Sequence, residues 1–181
     1  MARFYSELQA SHQNFIRAQP IFFTATAPRT GRINLSPKGM DSFRILSPRQ
    51  VGYVDLTGSG NETAAHLREN GRFTLMFCSF SADPLILRLY GRGQVIRRQD
   101  FEWPALRTKF PRLPGGRQII LMDVESVQTS CGYAVPLMNH AGERDTLARW
   151  SEKKGATGLL DYWRDKNQVS IDGLATGLFE D

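Results

Sequence analysis

The sequence predicts a mainly β, α+β fold: an antiparallel barrel of six or seven strands framed by helices at the start, middle and end of the chain. Three observations lead there. Short runs rich in β-branched and aromatic residues follow one another at hairpin-length spacing, glycines interrupt the longest run, and helical periodicity is confined to the opening, one central segment and the tail. The 181 residues, 41% of them apolar, suffice for one well-buried domain and are too few for two generous ones. Residues 1–181 are therefore read as a single domain with a helical C-terminal extension from about residue 141.

Each element has a local reason. Phe4, Leu8, Phe15 and Ile16 are spaced for a one-sided helix from Phe4 to Arg17. Ile21 to Ala27 is β-rich, is closed by Pro28-Arg29-Thr30-Gly31 and forms a hairpin with Arg32 to Pro37. Ser42 to Leu46 and Gln50 to Leu56 make a second hairpin across Ser47-Pro48-Arg49. A helix from Asn61 to Glu69 ends at Asn70-Gly71, and Arg72 to Phe80 resumes as a strand. In Leu85 to Val95, Leu85, Leu87 and Leu89 alternate with Ile86, Arg88 and Tyr90, the pattern of a half-buried strand, and Gly91 and Gly93 mark a bend or bulge at a barrel corner. Asp100 is positioned to cap a short helix through Trp103 and Leu106, and Arg117 to Ser130 returns as the last long strand. The tail reads as two helices, Gly142 to Lys154 stopping at Gly155 and then Gly158 to Asn167.

Composition narrows the function. No run of about 18 apolar residues is present and the N-terminus lacks the apolar core of a secretion signal, so a soluble, cytoplasmic protein without a membrane partner is expected. The two cysteines, Cys78 and Cys131, show no disulfide or zinc pattern, and the three histidines, His12, His66 and His140, show no metal spacing, so no metal is expected. His66 reads as a satisfied surface or interface histidine. The net charge of +5 could serve a nucleic acid, a membrane surface or anionic small ligands, but the basic residues are scattered with no block of five, which reads as a solvated mixed surface.

The most informative stretch is V-D-L-T-G-S-G-N-E-T, from Val54 to Thr63. Gly58 and Gly60 let the backbone bend close to a ligand, Ser59, Asn61 and Thr63 offer side-chain hydrogen bonds, and the helix that follows presents unpaired N–H groups. Two readings stay open on these residues alone: a phosphate cradle for a phosphorylated cofactor, or an ordinary Gly-Ser-Gly turn with Asn61 as N-cap. Asn34 and Ser36 alternate with Leu35 and share a face with Lys38.

Taken together, G-R-I-N-L-S-P-K-G-M-D-S-F at 31–43, T-G-S-G-N-E-T at 57–63, and L-R-L-Y-G-R-G at 87–93 resemble the pyridoxamine 5′-phosphate oxidase-like flavoproteins. In the tail, Q-T-S-C-G-Y-A-V-P, G-E-R-D-T-L and V-S-I-D-G-L are similar to one uncharacterised branch of that superfamily. The resemblance implies a split β-barrel, a homodimer and FMN in clefts between the subunits. It implies that Lys38, Asn61 and Thr63 hold the flavin phosphate, that Leu56 and Thr57 bear on the flavin ring, and that Asn34 and Ser36 belong to the cofactor face. Arg88 is a further candidate for the phosphate or flavin, against the alternative of an exposed strand arginine. Tyr133 is a candidate to close over the flavin from the partner subunit, against the alternative of core packing. Genuine pyridoxamine 5′-phosphate oxidases end in a stretch containing Trp and Arg that helps hold substrate, whereas residues 170–178 here contain neither. The cofactor therefore carries over and the substrate does not.

The expectation is an FMN-binding flavoprotein, an oxidoreductase acting on a small-molecule redox substrate, with no catalytic acid or base identified. The competing classes are a non-enzymatic flavin-binding or storage protein, which redox turnover distinguishes, and a basic nucleic-acid-binding barrel, which steep salt dependence would mark.

Overall fold

The computed structural model describes residues 2–180. Strands β2 (Phe22–Thr26), β3 (Asn34–Lys38), β4 (Phe43–Ser47), β5 (Gln50–Leu56), β6 (Arg72–Cys78), β7 (Ile86–Ile96) and β8 (Gly116–Ser130) form one antiparallel sheet in the order β3-β2-β6-β7-β8-β5-β4, and β1 (Arg3–Tyr5) adds to β8. The end strands β3 and β4 share no ladder. Aromatic packing bridges this side of the curl, where Phe22 of β2 meets Phe43 of β4 with ring centroids 5.1 Å apart. This is a split barrel of the kind the hairpin spacing predicts.

Two cores use the two faces of the sheet. Leu75, Phe77, Leu87, Leu89, Tyr53, Ile120 and Met122 fill the inside of the curl. Val54, Ile96, Phe110, Ile119 and Leu121 pack on the other face under Trp103 and Leu106 of the short helix α3 (Trp103–Arg107). The division follows from strand alternation, because Tyr53 and Val54 are neighbours on β5 and must point to opposite faces.

Helix α1 spans only Ala10–Arg17, which corrects the expected helix from Phe4. Arg3, Phe4 and Tyr5 pair instead with Thr129, Gln128 and Val127, extending the side of β8 that β5 leaves at Asp123. The helix begins later because the His12 ring accepts the Gln9 N–H at 3.2 Å, closing the first turn there. A second correction concerns Asp100. Its carboxylate accepts hydrogen bonds from the Arg97 backbone and guanidinium upstream rather than capping α3. The long tail helix α4 (Thr146–Lys166) starts four residues past Gly142 and breaks at Gly155, whose φ of 66° lies outside the helical region. Its end packs through Trp163, Leu159 and Leu178. No helix among the described residues is long and apolar enough to cross a membrane.

Candidate functional site

The strand β3, the end of β5 and the start of the helix that follows it meet at the edge of the curl. The strand β3 supplies Asn34, Ser36 and Lys38 on one face, as alternation demands. The end of β5 leads into the glycine turn at 57–60, and helix α2 (Glu62–Asn70) starts behind it. They enclose a cleft of about 270 Å³ lined by Asn34, Ser36, Lys38, Leu56, Gly58, Ser59, Gly60, Asn61 and Thr63, joined by Asp55, Glu62, Arg117 and Ile171. Nine of the twelve expected cofactor residues thus share one cleft. Thr57, Arg88 and Tyr133 are elsewhere. Thr57 is buried, donating its hydroxyl to the Gly115 carbonyl and accepting from the Trp163 indole, each at 2.8 Å, so it anchors α4 beneath the turn. Arg88 is half-buried on β7 and donates to the Ser130 hydroxyl at 3.4 Å. Tyr133 is 81% exposed, which removes the core-packing alternative.

The floor of the cleft is a buried polar network. Asp55 is 2% exposed and accepts from Arg117 Nη2 at 2.7 Å and Nε at 3.2 Å and from Gln118 Nε2 at 2.8 Å. Burial alone would raise the Asp55 pKa. The charges of Arg117 and Lys38, with the hydrogen bonds from Arg117 and Gln118, outweigh it and hold the carboxyl below its ordinary value. Arg117 spends its remaining donors on Asn167 Oδ1 at 2.6 Å and the Gly60 carbonyl at 3.2 Å. Asn61 does not cap α2 with its side chain. Its amide instead donates to the Asn167 carbonyl at 3.3 Å while its oxygen accepts from Gln118 at 2.8 Å. Asn167, at the end of α4, also donates to the Gly58 carbonyl at 3.2 Å, so the tail fixes the glycine turn from behind.

The wall toward β3 is a second chain of hydrogen bonds. Ser36 donates to Asn34 Oδ1 at 3.1 Å, and the Asn34 amide donates to Thr63 at 3.1 Å and to Thr26 at 3.3 Å. Thr26 in turn lies 3.0 Å from His66 Nδ1. His66 is buried and its Nε2 has no partner among the described residues, which corrects the reading of a satisfied surface histidine.

Lys38 is the cation most available to a ligand. Its ammonium sits 5.9 Å from the centroid of the Tyr53 ring and makes one long contact, donating to Asp55 Oδ1 at 3.5 Å, which leaves two of its three protons for a ligand. A Cβ placed on Gly58 would meet only the Gly60 carbonyl, at 3.7 Å, so the turn leaves room for close approach. Glu62 counters the positive charge, but its carboxylate is occupied by the Ile171 N–H at 3.1 Å. The arrangement can hold an anionic group between Lys38 and the start of α2, with polar side chains on both sides.

Asp55, Glu62, Arg117, Gln118, Asn167 and Ile171 were not singled out by sequence. A signal existed for Asp55: an acid in the otherwise apolar run V-G-Y-V-D-L has to find a buried cation. Nothing local identifies Arg117 as that partner.

The family model described as pyridoxamine 5′-phosphate oxidase matches residues 8–131. The pyridoxamine 5′-phosphate oxidase family protein ustO of Aspergillus flavus is 42% identical over 192 residues, covering 96% of this chain and 77% of that one. Among solved structures, tagged HupZ of Group A Streptococcus superposes with a TM-score of 0.54 at 19% identity, covering 66% of this chain and 91% of its own. A candidate pyridoxamine 5′-phosphate oxidase from Lactobacillus delbrueckii gives 0.53 at 18% identity, covering 68% and 94%. The structural likenesses speak for the fold, and the sequence matches go further: the chain belongs to the pyridoxamine 5′-phosphate oxidase family.

Proposed function

We propose that this chain binds FMN in the cleft between β3 and the glycine turn and works as an FMN-dependent oxidoreductase, with two subunits sharing the walls around each flavin. The observation that carries the reading is the meeting of Lys38, the Asn34 and Ser36 face, and the Gly58 to Thr63 turn in one cleft. Family membership supports a flavin as the occupant.

The residues present fit the group. Lys38 and the Thr63 hydroxyl would hold the phosphate, Ser59 and the open backbone at Gly58 would line its approach, and Leu56 would bear on the ring. Bound FMN would supply hydride or electron transfer. The chain's own part is to position it and to keep charge in place. Asp55, held ionised, fixes Arg117 in the floor rather than moving protons. Residues 170–178 offer no tryptophan or basic side chain for a phosphorylated pyridoxamine, so no substrate is carried over from the family.

The test is the visible spectrum and mass of whatever copurifies, followed by FMN titration and anaerobic reduction. Wild-type protein is expected to carry or take up FMN and to cycle between redox states. Lys38→Ala is expected to weaken FMN binding roughly tenfold or more, the scale of one lost charge-assisted hydrogen bond. A colourless protein that acquires no flavin spectrum overturns the reading, and a bound flavin that never turns over reduces it to storage.

A further inference from the structure

On the far side of the sheet from the flavin cleft, a second depression of about 330 Å³ is lined by Arg98, Arg107, Arg112, Trp103, Val54 and Ile119, among others, with no acidic residue in its wall. Val54 and Ile119 are a directly paired position of β5 and β8, and Asp55, next to Val54 on β5, lines the proposed flavin cleft, so alternation along β5 sets the two depressions on opposite faces. The three arginines come from three places: the end of β7, the last turn of α3, and the loop before β8.

Their charges are unpaired. Among the described residues no carboxylate forms an ion pair with Arg98, Arg107 or Arg112, whereas Arg97 and Arg117 on the same stretch each have one, in Asp100 and Asp55. Arg98 is held in place by donating to the Gly116 carbonyl at 2.6 Å and by lying 5.0 Å from the centroid of the Trp163 ring. Arg107 donates to the Phe110 carbonyl at 2.9 Å. Backbone carbonyls thus orient two of the guanidiniums without neutralising them. Burial and the charge of Arg107 lower the Arg98 pKa, and burial and the charge of Arg112 lower that of Arg107, the signature of like charges held together.

We propose that this three-arginine cleft is a second anion-binding site, for a small molecule carrying a phosphate or diphosphate group. Three uncompensated guanidiniums call for a dianion or trianion, and their planar forks match phosphoryl oxygens in pairs. Trp103 gives the organic part of the ligand an apolar wall. The site is separate from the flavin cleft and does not depend on what that cleft binds.

The experiment is calorimetric titration of the purified protein with sodium pyrophosphate at low ionic strength, repeated with citrate, on the wild type and on Arg112→Ala, Arg107→Ala, Lys38→Ala and the surface control Arg149→Ala. Arg112 is exposed, so its replacement leaves the fold intact. The expected result is saturable pyrophosphate binding that weakens with added salt, falls roughly tenfold or more in Arg112→Ala and Arg107→Ala, and is unchanged in Arg149→Ala. Arg112→Lys should recover part of it. Absence of binding, loss seen only in Lys38→Ala, or identical affinity in Arg112→Ala and wild type overturns the site. Citrate binding as tightly as pyrophosphate overturns the phosphoryl assignment.

Discussion

Asp55 holds the floor of the proposed flavin cleft together. It lies where β5 is apolar on both faces, and it answers Arg117 and Gln118 on β8 and Lys38 on β3. Removing its charge would leave the Arg117 guanidinium buried without a counter-ion, which costs about 3–5 kcal/mol when a buried pair is broken from one side. Asp55→Asn should therefore lower stability by that order in urea unfolding at neutral pH. The pH dependence has a definite sign. The folded pKa lies below the ordinary value of 3.8, so the contribution is complete above that value and is lost as pH falls through the lower folded pKa. The stability difference between wild type and Asp55→Asn should shrink below about pH 4. An undiminished gap at pH 2 would mean that packing, not charge, carries the effect. Thr63 could be nominated from sequence because it sits in a glycine turn with its own local pattern, and Lys38 because the family resemblance implies its role. The Asp55 to Arg117 pair could not, since its partners are 62 residues apart and only the sheet register makes them adjacent.

At the scale of elements, β7 and β8 form the longest antiparallel ladder of the sheet. Its register shifts between Tyr90 and Gly91, where the sequence already read a bend. A Cβ on Gly91 would lie 2.0 Å from the Asp123 carbonyl oxygen, a backbone atom that no rotamer change can move aside. Gly91→Ala should cost about 3 kcal/mol, or roughly 6–12 °C in melting temperature for a chain of this size. Gly158→Ala on α4 should do the opposite. Its Cβ would meet only the flexible Lys154 side chain at 3.4 Å, and alanine is favoured over glycine in a helix by up to about 1 kcal/mol. Equal melting temperatures for the two variants would show that the bulge does not constrain the ladder. Alternation made β5, β7 and β8 legible to within a residue or so. It failed for β1, where three residues are too few to show a period and the Phe4 and Leu8 spacing imitates a helix.

At the scale of the whole molecule, one subunit leaves the proposed FMN site open on one side. The cleft of about 270 Å³ accommodates the phosphate end of a nucleotide more readily than a tricyclic ring. Apolar groups stand in water near the same end: Ile171 on the cleft wall is 69% exposed, and Ile33, just before the strand that supplies Lys38, is 77% exposed. Burying such side chains favours association by roughly 25 cal/mol per Å² of apolar surface, and a second copy would at once cover the ring and these residues. The prediction is a species of twice the 20.4 kDa chain mass in sedimentation, carrying one flavin per chain. Dilution below the dissociation constant of the dimer should release flavin in step with the appearance of monomer, because each site would lose a wall. Flavin retained at full occupancy on a sedimenting monomer would rule out the shared site and place the whole binding surface on one chain.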